Sequence, residues 1–155
     1  MSVFRYDTHI GKLGIVVAEQ KLTHILWDGE AHPKGVEVGE TELHLVVAAQ
    51  LAEYFAGERK EFDLPLAPRG TEFQMGVWEA LKGIPYGETR SYQDIAITIG
   101  NPKACRAVGA ANGRNPIPII IPCHRVIGKN DGLVGFGGGL GIKSHLLGLE
   151  RGMQK

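Results

Sequence analysis

The chain has 155 residues and a mass of 16.8 kDa, enough for one domain with a sizeable core or for two small ones. Its 17 Lys/Arg balance 17 Asp/Glu, and a net charge of zero argues against a uniformly basic nucleic-acid binder. Two cysteines, Cys105 and Cys123, exclude a disulfide framework, no clustered Cys/His set could hold a structural zinc, and no apolar run reaches the roughly 18 residues of a membrane span.

Met1–Asp7 lacks the basic-then-apolar pattern of a secretion signal, so a soluble, cytoplasmic protein in a reducing compartment is expected. Val3–Tyr6, Leu13–Val17 and Leu22–Trp27 alternate or cluster apolar residues in β fashion and predict a small antiparallel sheet. Residues 30–40 read as a polar link. Leu45, Ala48, Ala49, Ala52 and Phe55 then recur at helical spacing, with a stop at Gly57. The connector over residues 58–70, with Pro65, Pro68 and Gly70, predicts a boundary between an α/β unit over 1–68 and a second domain over 69–155.

The second domain announces its helices by their caps. Thr71-Glu72-Phe73-Gln74 has capping-box spacing and leads into Val77, Trp78 and Leu81 before Gly83 and Pro85. Ser91 is placed to cap a helix over Tyr92–Ile99. Gly100 breaks it, Asn101 can cap the next, and Pro102 suits a first helical position. The helix over 103–112 carries small residues on nearly every face, which suits close approach either to a polyanionic groove or to another helix. Two helices joined by a tight glycine turn suggest a helix-turn-helix, although αα-hairpins also occur in proteins that never touch DNA.

Charge divides the chain in the same way. Residues 1–70 hold 7 Lys/Arg against 11 Asp/Glu, and residues 71–155 hold 10 against 6. Within 90–129, Arg90, Lys103, Arg106, Arg114, Arg125 and Lys129 face a single acid, Asp94, as a phosphate-binding surface would require, or simply as a solvated face. Next comes Asn115-Pro-Ile-Pro-Ile-Ile-Ile-Pro-Cys123-His124-Arg125-Val126. Its isoleucines predict a short buried strand stopped by proline just before Cys123. A cysteine followed by His124 and Arg125 sits in an electropositive setting expected to lower its pKa, although strand neighbours point apart, so direct Cys–His contact needs a turn or a bridging water.

The run from Asn115 to Val126 closely resembles the active-site signature of the O6-alkylguanine-DNA alkyltransferases. The resemblance extends through Pro85–Tyr92 and Arg106–Asn112 and on to Leu146–Glu150, so that residues 70–152 are covered strongly. Residues 1–65 match in pattern and length. The resemblance implies an N-terminal ribonuclease-H-like α/β domain and a mostly α C-terminal domain with a winged-helix-like helix-turn-helix. It implies irreversible, stoichiometric repair of O6-alkylguanine, and less well O4-alkylthymine, in double-stranded DNA bound through the minor groove by a monomer, without metal or cofactor.

Carried over by position, Cys123 becomes the alkyl acceptor, His124 its base through a water, and Glu150 the orienter of His124. Tyr92 would donate to guanine N3 and Asn115 would fix the active-site turn. The carbonyls of Cys123 and Val126 would accept from the guanine amine, while Phe136 and Gly137 would complete the pocket. Arg106 would replace the extruded base, with Ala107, Ala110, Ala111, Asn112 and Arg114 at the DNA surface. Phe136 stands where relatives commonly have tyrosine, and Gly137 where some have serine. The run Gly137–Gly139 carries the conformational freedom to admit alkyl groups bulkier than methyl. Cys105 matches no catalytic position and reads as a packing residue. A non-catalytic protein that binds alkylguanine DNA and a cysteine hydrolase are the competing readings; free hydrolysis product would favour the latter.

Overall fold

A computed structural model describes residues 1–128 and 139–152. The chain divides into two compact units, Met1–Arg69 and Gly70–Lys155.

In the first unit, β1 (Ser2–Thr8), β2 (Gly11–Ala18) and β3 (Lys21–Leu26) form an antiparallel meander, and β4 (Glu37–Val38) adds a parallel strand beside β1. The sheet is therefore mixed, and the polar link expected over 30–40 contains β4. A two-residue pairing formed with a strand over thirty residues away leaves no alternation to detect. Helix α1 (Glu42–Phe55) covers the sheet with Val47, Leu51, Tyr54 and Phe55, one face at helical spacing. Its stop is a Schellman motif: Gly57 takes φ +77° and donates to the Tyr54 carbonyl, while Glu58 donates to that of Glu53. At the other end the buried His44 meets the Thr41 amide through Nδ1 at 2.9 Å and the Ser2 carbonyl through Nε2 at 3.2 Å, tying the helix start to β1. The connector lies along β3, where the Leu22 amide donates to Pro65 and the Ala67 amide to Leu22, both at 2.8 Å.

In the second unit, α2 (Glu72–Lys82) begins with the capping box that its sequence spells. The Gln74 amide donates to Thr71 Oγ1 at 3.1 Å, and the Thr71 amide to Gln74 Oε1 at 2.9 Å. Trp78 is the central spoke of this unit. Its indole N–H donates to the Ala111 carbonyl at 2.8 Å, and its ring lies so close to Gly70 that a Cβ there would fall 2.5 Å from Cη2. A two-residue strand β5 (Arg90–Ser91) runs directly into α3 (Tyr92–Thr98), capped reciprocally by Ser91 and Asp94.

The turn after α3 is again a Schellman motif, with Gly100 at φ +78°, Gly100 donating to Ile97 and Asn101 to Ala96. Helix α4 (Cys105–Gly113) starts later than Pro102 suggested, because Pro102 and Lys103 are used in a turn closed by the Ala104 amide on the Asn101 carbonyl. Gln93 stitches this helix-turn-helix together, donating to the Pro102 carbonyl at 2.9 Å and accepting from Cys105 Sγ at 3.1 Å.

The segment between α4 and Cys123 departs furthest from expectation. Ile119–Ile121 form no strand. Asn115 accepts from the Ile117 amide at 3.0 Å and donates to the Ile121 carbonyl at 2.7 Å, closing a compact buried turn in which Ile119 adopts φ +74°. Proline at 116, 118 and 122 removes three ladder donors, and the Asn115 side chain replaces sheet pairing with local bonds. The chain continues as a 3-10 turn, Cys123–Arg125, then β6 (Val126–Ile127), which pairs in parallel with β5. Helix α5 (Leu140–Glu150) buries Lys143, Leu146, Leu147 and Glu150 on one stripe against that turn.

Candidate active site

Where a strand would send neighbours to opposite faces, the chain makes a 3-10 turn, and Cys123, His124 and Arg125 are all buried, at 3%, 0% and 6% exposure. Glu150, delivered from α5, is where their charges meet. His124 Nε2 lies 2.6 Å from Glu150 Oε2. Arg125 donates through Nε to Oε1 at 2.8 Å and through Nη2 to Oε2 at 3.0 Å, while its Nη1 donates to the Ile84 carbonyl at 2.7 Å. The Gly87 amide adds a longer bond to Oε1 at 3.3 Å, from a turn in which Gly87 takes φ +83°. Burial works to raise the Glu150 pKa, but the bonds from His124 and Arg125 outweigh it and hold the carboxyl down at about 2. Glu150 is therefore ionised at every physiological pH.

The thiol's own setting differs from the one its neighbours suggested. Burial pushes Cys123 up to about 11, against the opposing pull of the Asn115 side chain and the Lys143 charge. The positive charge of Arg125 is spent on Glu150, and His124 is pushed below its ordinary value, first by burial, despite Glu150 pulling it up. The resting pair is thus a thiol beside a neutral imidazole. His124 Nδ1 is buried and has no hydrogen-bond partner among the described residues, so the nitrogen not used by Glu150 is the one able to take a proton.

Helices α3 and α4 frame the same point. Tyr92 contacts the Asn112 side chain, and burial followed by the Cys123 charge raises its phenol above the usual range. Asn112 Nδ2 donates to the Cys123 carbonyl at 3.3 Å, and the Val126 amide donates to that same carbonyl. Asn115 holds the preceding turn. Cys123, His124, Glu150, Tyr92, Asn115 and Val126 are therefore gathered in one place.

The expected DNA face is only partly exposed. Arg106, Ala107 and Ala110 are open on α4, along with Lys103 before it and Arg114 at its C-cap. Ala111 and Asn112 lie instead on the buried face, engaged with Trp78 and the Cys123 carbonyl, so their side chains are closed to nucleic acid in this structure. Arg125 likewise belongs to the buried network and not to the basic surface. Lys129, Phe136 and Gly137 lie outside the described residues. Lys143, fully buried with Nζ 2.6 Å from the Val126 carbonyl, was missed. Its signal was available, since Lys143, Leu146, Leu147 and Glu150 fall at i, i+3, i+4 and i+7 and place a lysine on an inward stripe.

A buried cysteine with a carboxylate-backed imidazole, carried on a helix-turn-helix unit, defines a protein with a nucleophilic thiol beside a nucleic-acid-binding motif. Comparison with known proteins agrees. Residues 72–152 match the model of the 6-O-methylguanine DNA methyltransferase DNA binding domain, and residues 5–68 that of the ribonuclease-like domain. The chain is 63% identical over 151 residues to a methylated-DNA–protein-cysteine methyltransferase of Methanosarcina acetivorans, covering 94% of this chain and 95% of that protein. It is 50% identical over 152 residues to the constitutive enzyme of that name from Bacillus subtilis, covering 94% and 92%. A crystal structure of Mycobacterium tuberculosis OGT in complex with DNA superposes with a TM-score of 0.92 at 47% identity, covering 98% of this chain and 94% of that one. The chain belongs to the 6-O-methylguanine DNA methyltransferase family.

Proposed function

We propose that this protein repairs O6-alkylguanine in duplex DNA by moving the alkyl group onto Cys123, once per molecule. The observation that carries the reading is the buried Cys123 in one turn with His124, whose far nitrogen is fixed on Glu150 at 2.6 Å. His124 Nδ1, through a bridging water, takes the thiol proton, and Glu150 stabilises the imidazolium that results. The sulfur attacks the alkyl carbon, a thioether C–S bond forms, and the C–O6 bond breaks with its electron pair leaving on the purine. Tyr92 gives a proton to N3, which neutralises that charge. Asn115 keeps the turn, and with it the nucleophile, in position. The Val126 carbonyl, beside its bond from Lys143, keeps a lone pair for the guanine amine, and the Cys123 carbonyl receives that amine in place of the longer Asn112 bond.

The reacting carbon lies inside the base stack, so the nucleotide must be extruded first. Arg106, exposed on α4 among Ala107 and Ala110, fills the space from the minor groove, while Lys103 and Arg114 meet phosphates. The protein acts as a monomer in the cytoplasm, where two free cysteines stay reduced; no helix among the described residues is long and apolar enough to cross a membrane. The chemistry needs neither metal nor cofactor. Mass spectrometry after exposure to excess O6-methylguanine DNA tests the reading. One added methylene on the Cys123 peptide and a burst equal to the protein concentration are expected. Repeated turnover, or label recovered elsewhere, overturns it.

A further inference from the structure

Among the described residues, two buried side-chain atoms have no hydrogen-bond partner: His124 Nδ1, which the transfer just described employs, and Asn112 Oδ1, which it does not. Asn112 is 2% exposed, on the inner face of α4. Its orientation is set by its neighbour, since a carbonyl only accepts, so Nδ2 faces the Cys123 oxygen and Oδ1 faces away. At 3.3 Å that bond is longer than the usual value of about 2.9–3.0 Å, and nothing among the described residues anchors the oxygen of the carboxamide. Such an amide is ready to exchange its partner.

The Cys123 carbonyl has two lone pairs, and both are engaged, one by the Val126 amide that closes the 3-10 turn and one by Asn112. The first bond belongs to the turn itself. A guanine amine therefore takes this carbonyl only by displacing Asn112. Alkylation at O6 leaves N1 without a proton, so that amine is the sole N–H donor on the base, and a base lacking it cannot make the exchange. The displaced N–H has an acceptor at hand. Tyr92 packs on the same face of α4, where a Cβ at Gly109, three residues before Asn112, would lie 3.8 Å from its ring. Burial and then the Cys123 charge raise the Tyr92 phenol, whereas its bond with the Asn112 side chain pulls it down. A donor with that effect steadies the phenolate, the state that Tyr92 approaches as it protonates N3.

We propose that Asn112 couples recognition of the guanine amine to protonation of the leaving group: the amine takes the Cys123 carbonyl, and the freed Asn112 N–H turns to the Tyr92 oxygen as the phenol proton passes to N3. Asn112 itself gives up no proton; the C–O6 electron pair ends on the purine, and the Tyr92 proton joins it at N3. The inference rests on Cys123 being the alkyl acceptor and Tyr92 the proton donor. Asn112 is then a positioning residue that acts through Tyr92, and it determines specificity, because a base without the amine leaves it on the Cys123 carbonyl. A hydrogen bond to a charged partner is worth about tenfold or more in rate. Asn112→Leu, close in size but without the N–H, should therefore slow transfer from O6-methylguanine about tenfold, and transfer from its amine-free counterpart O6-methylhypoxanthine hardly at all.

The test measures single-turnover rates at saturating duplex DNA carrying either base opposite cytosine, so that affinity drops out, and alkylation of the Cys123 peptide by iodoacetamide, which needs neither purine nor Tyr92. Differences in extrusion between the two bases cancel when their rate ratio is compared across proteins. That ratio should fall about tenfold in Asn112→Leu while the iodoacetamide rate holds, and in a Tyr92→Phe background the same substitution should cost nothing more. An unchanged ratio in the folded variant overturns the proposal, as does an equal loss with iodoacetamide or a full additional loss beside Tyr92→Phe. Failure of the unaltered protein to transfer from O6-methylguanine, or full-rate transfer by Tyr92→Phe, would instead refute the proposed function. Should Asn112→Leu not fold, nitrogen-15 spectra of Cys123→Ser bound to each DNA decide: an Asn112 side-chain amide signal displaced by the amine-bearing base alone supports the coupling, and one that responds alike to both overturns it.

Discussion

Replacing Glu150 by glutamine removes the charge on which His124 and Arg125 converge while keeping the size of the side chain. The carboxyl is held at about 2 against an ordinary 4.5, and a shift of that size corresponds to about 3 kcal/mol of native-state stability at neutral pH. Loss of one partner from a buried pair costs a similar amount, about 3–5 kcal/mol, because the Arg125 guanidinium would remain buried beside a neutral amide. In a chain of this length the melting temperature should fall by roughly 6–12 °C. The sign with pH is fixed by the depressed pKa. The carboxylate's contribution is fully present above pH 4.5 and disappears as pH falls toward 2. Unfolding of the two proteins should therefore differ by a constant gap from pH 8 to about 5, narrowing steadily below that. Alkyl transfer should slow in the same variant while DNA affinity stays nearly intact, since Glu150 is buried whereas Arg106, Ala107 and Ala110 of α4 are exposed. A gap under about 1 kcal/mol at pH 7, or one unchanged at pH 3, would refute the account of Glu150 as the hub of the network.

Arg106→Ala should slow repair of duplex DNA at least about tenfold more than reaction with free O6-benzylguanine, because only the duplex demands extrusion, at a cost of a few kcal/mol; equal losses would remove Arg106 from that role. Reversing Lys103 or Arg114 should weaken binding to all sequences alike and lower the slope of log affinity against log salt by about one each, measured by fluorescence anisotropy. Cys123→Ser should bind damaged DNA and transfer nothing, whereas Cys105→Ser, whose hydroxyl keeps a donor for Gln93, should leave the burst amplitude unchanged; label on Cys105 would contradict both. The acid limb of the transfer rate should fall below the ordinary histidine value of 6.5, since burial keeps His124 neutral to lower pH. An acid limb above 6.5 would show that the base is not this imidazole.

Much of the fold was legible wherever a local pattern decides structure. The alternation of β1 to β3, the reciprocal cap of Thr71 and Gln74, and the cap at Ser91 each need only neighbours within a few residues, and each is present. Distant or competing interactions were not legible. β4 depends on a parallel partner at the far end of its unit, and the isoleucines at 119–121 carry strand propensity that three prolines and one asparagine override. The candidate site residues were read from a motif, and the structure gathers Cys123, His124 and Glu150; the lowered pKa expected at Cys123 was not met, because the thiol is buried and Arg125 is bonded to Glu150, neither of which sequence adjacency reveals. Ala111 and Asn112 were misplaced for a related reason. A helix small on nearly every face offers no contrast by which to tell its inner side from its outer one.

The parallel pair of β5 and β6 joins Arg90 to Val126 and Ser91 to Ile127. One strand opens straight into the first helix of the helix-turn-helix, and the other issues straight from the turn of the nucleophile. The pair thus works as a gauge block between the point where DNA is gripped and the point where it is attacked. Its setting is made by main-chain bonds, and the side chains secure it from either end, Ser91 by capping α3 and Val126 and Ile127 by their burial. Length is what it would not tolerate: one residue inserted between Ser91 and Tyr92 would move the grip by roughly 3.3 Å relative to the sulfur, about the difference between a carbon in line for displacement and one beyond contact.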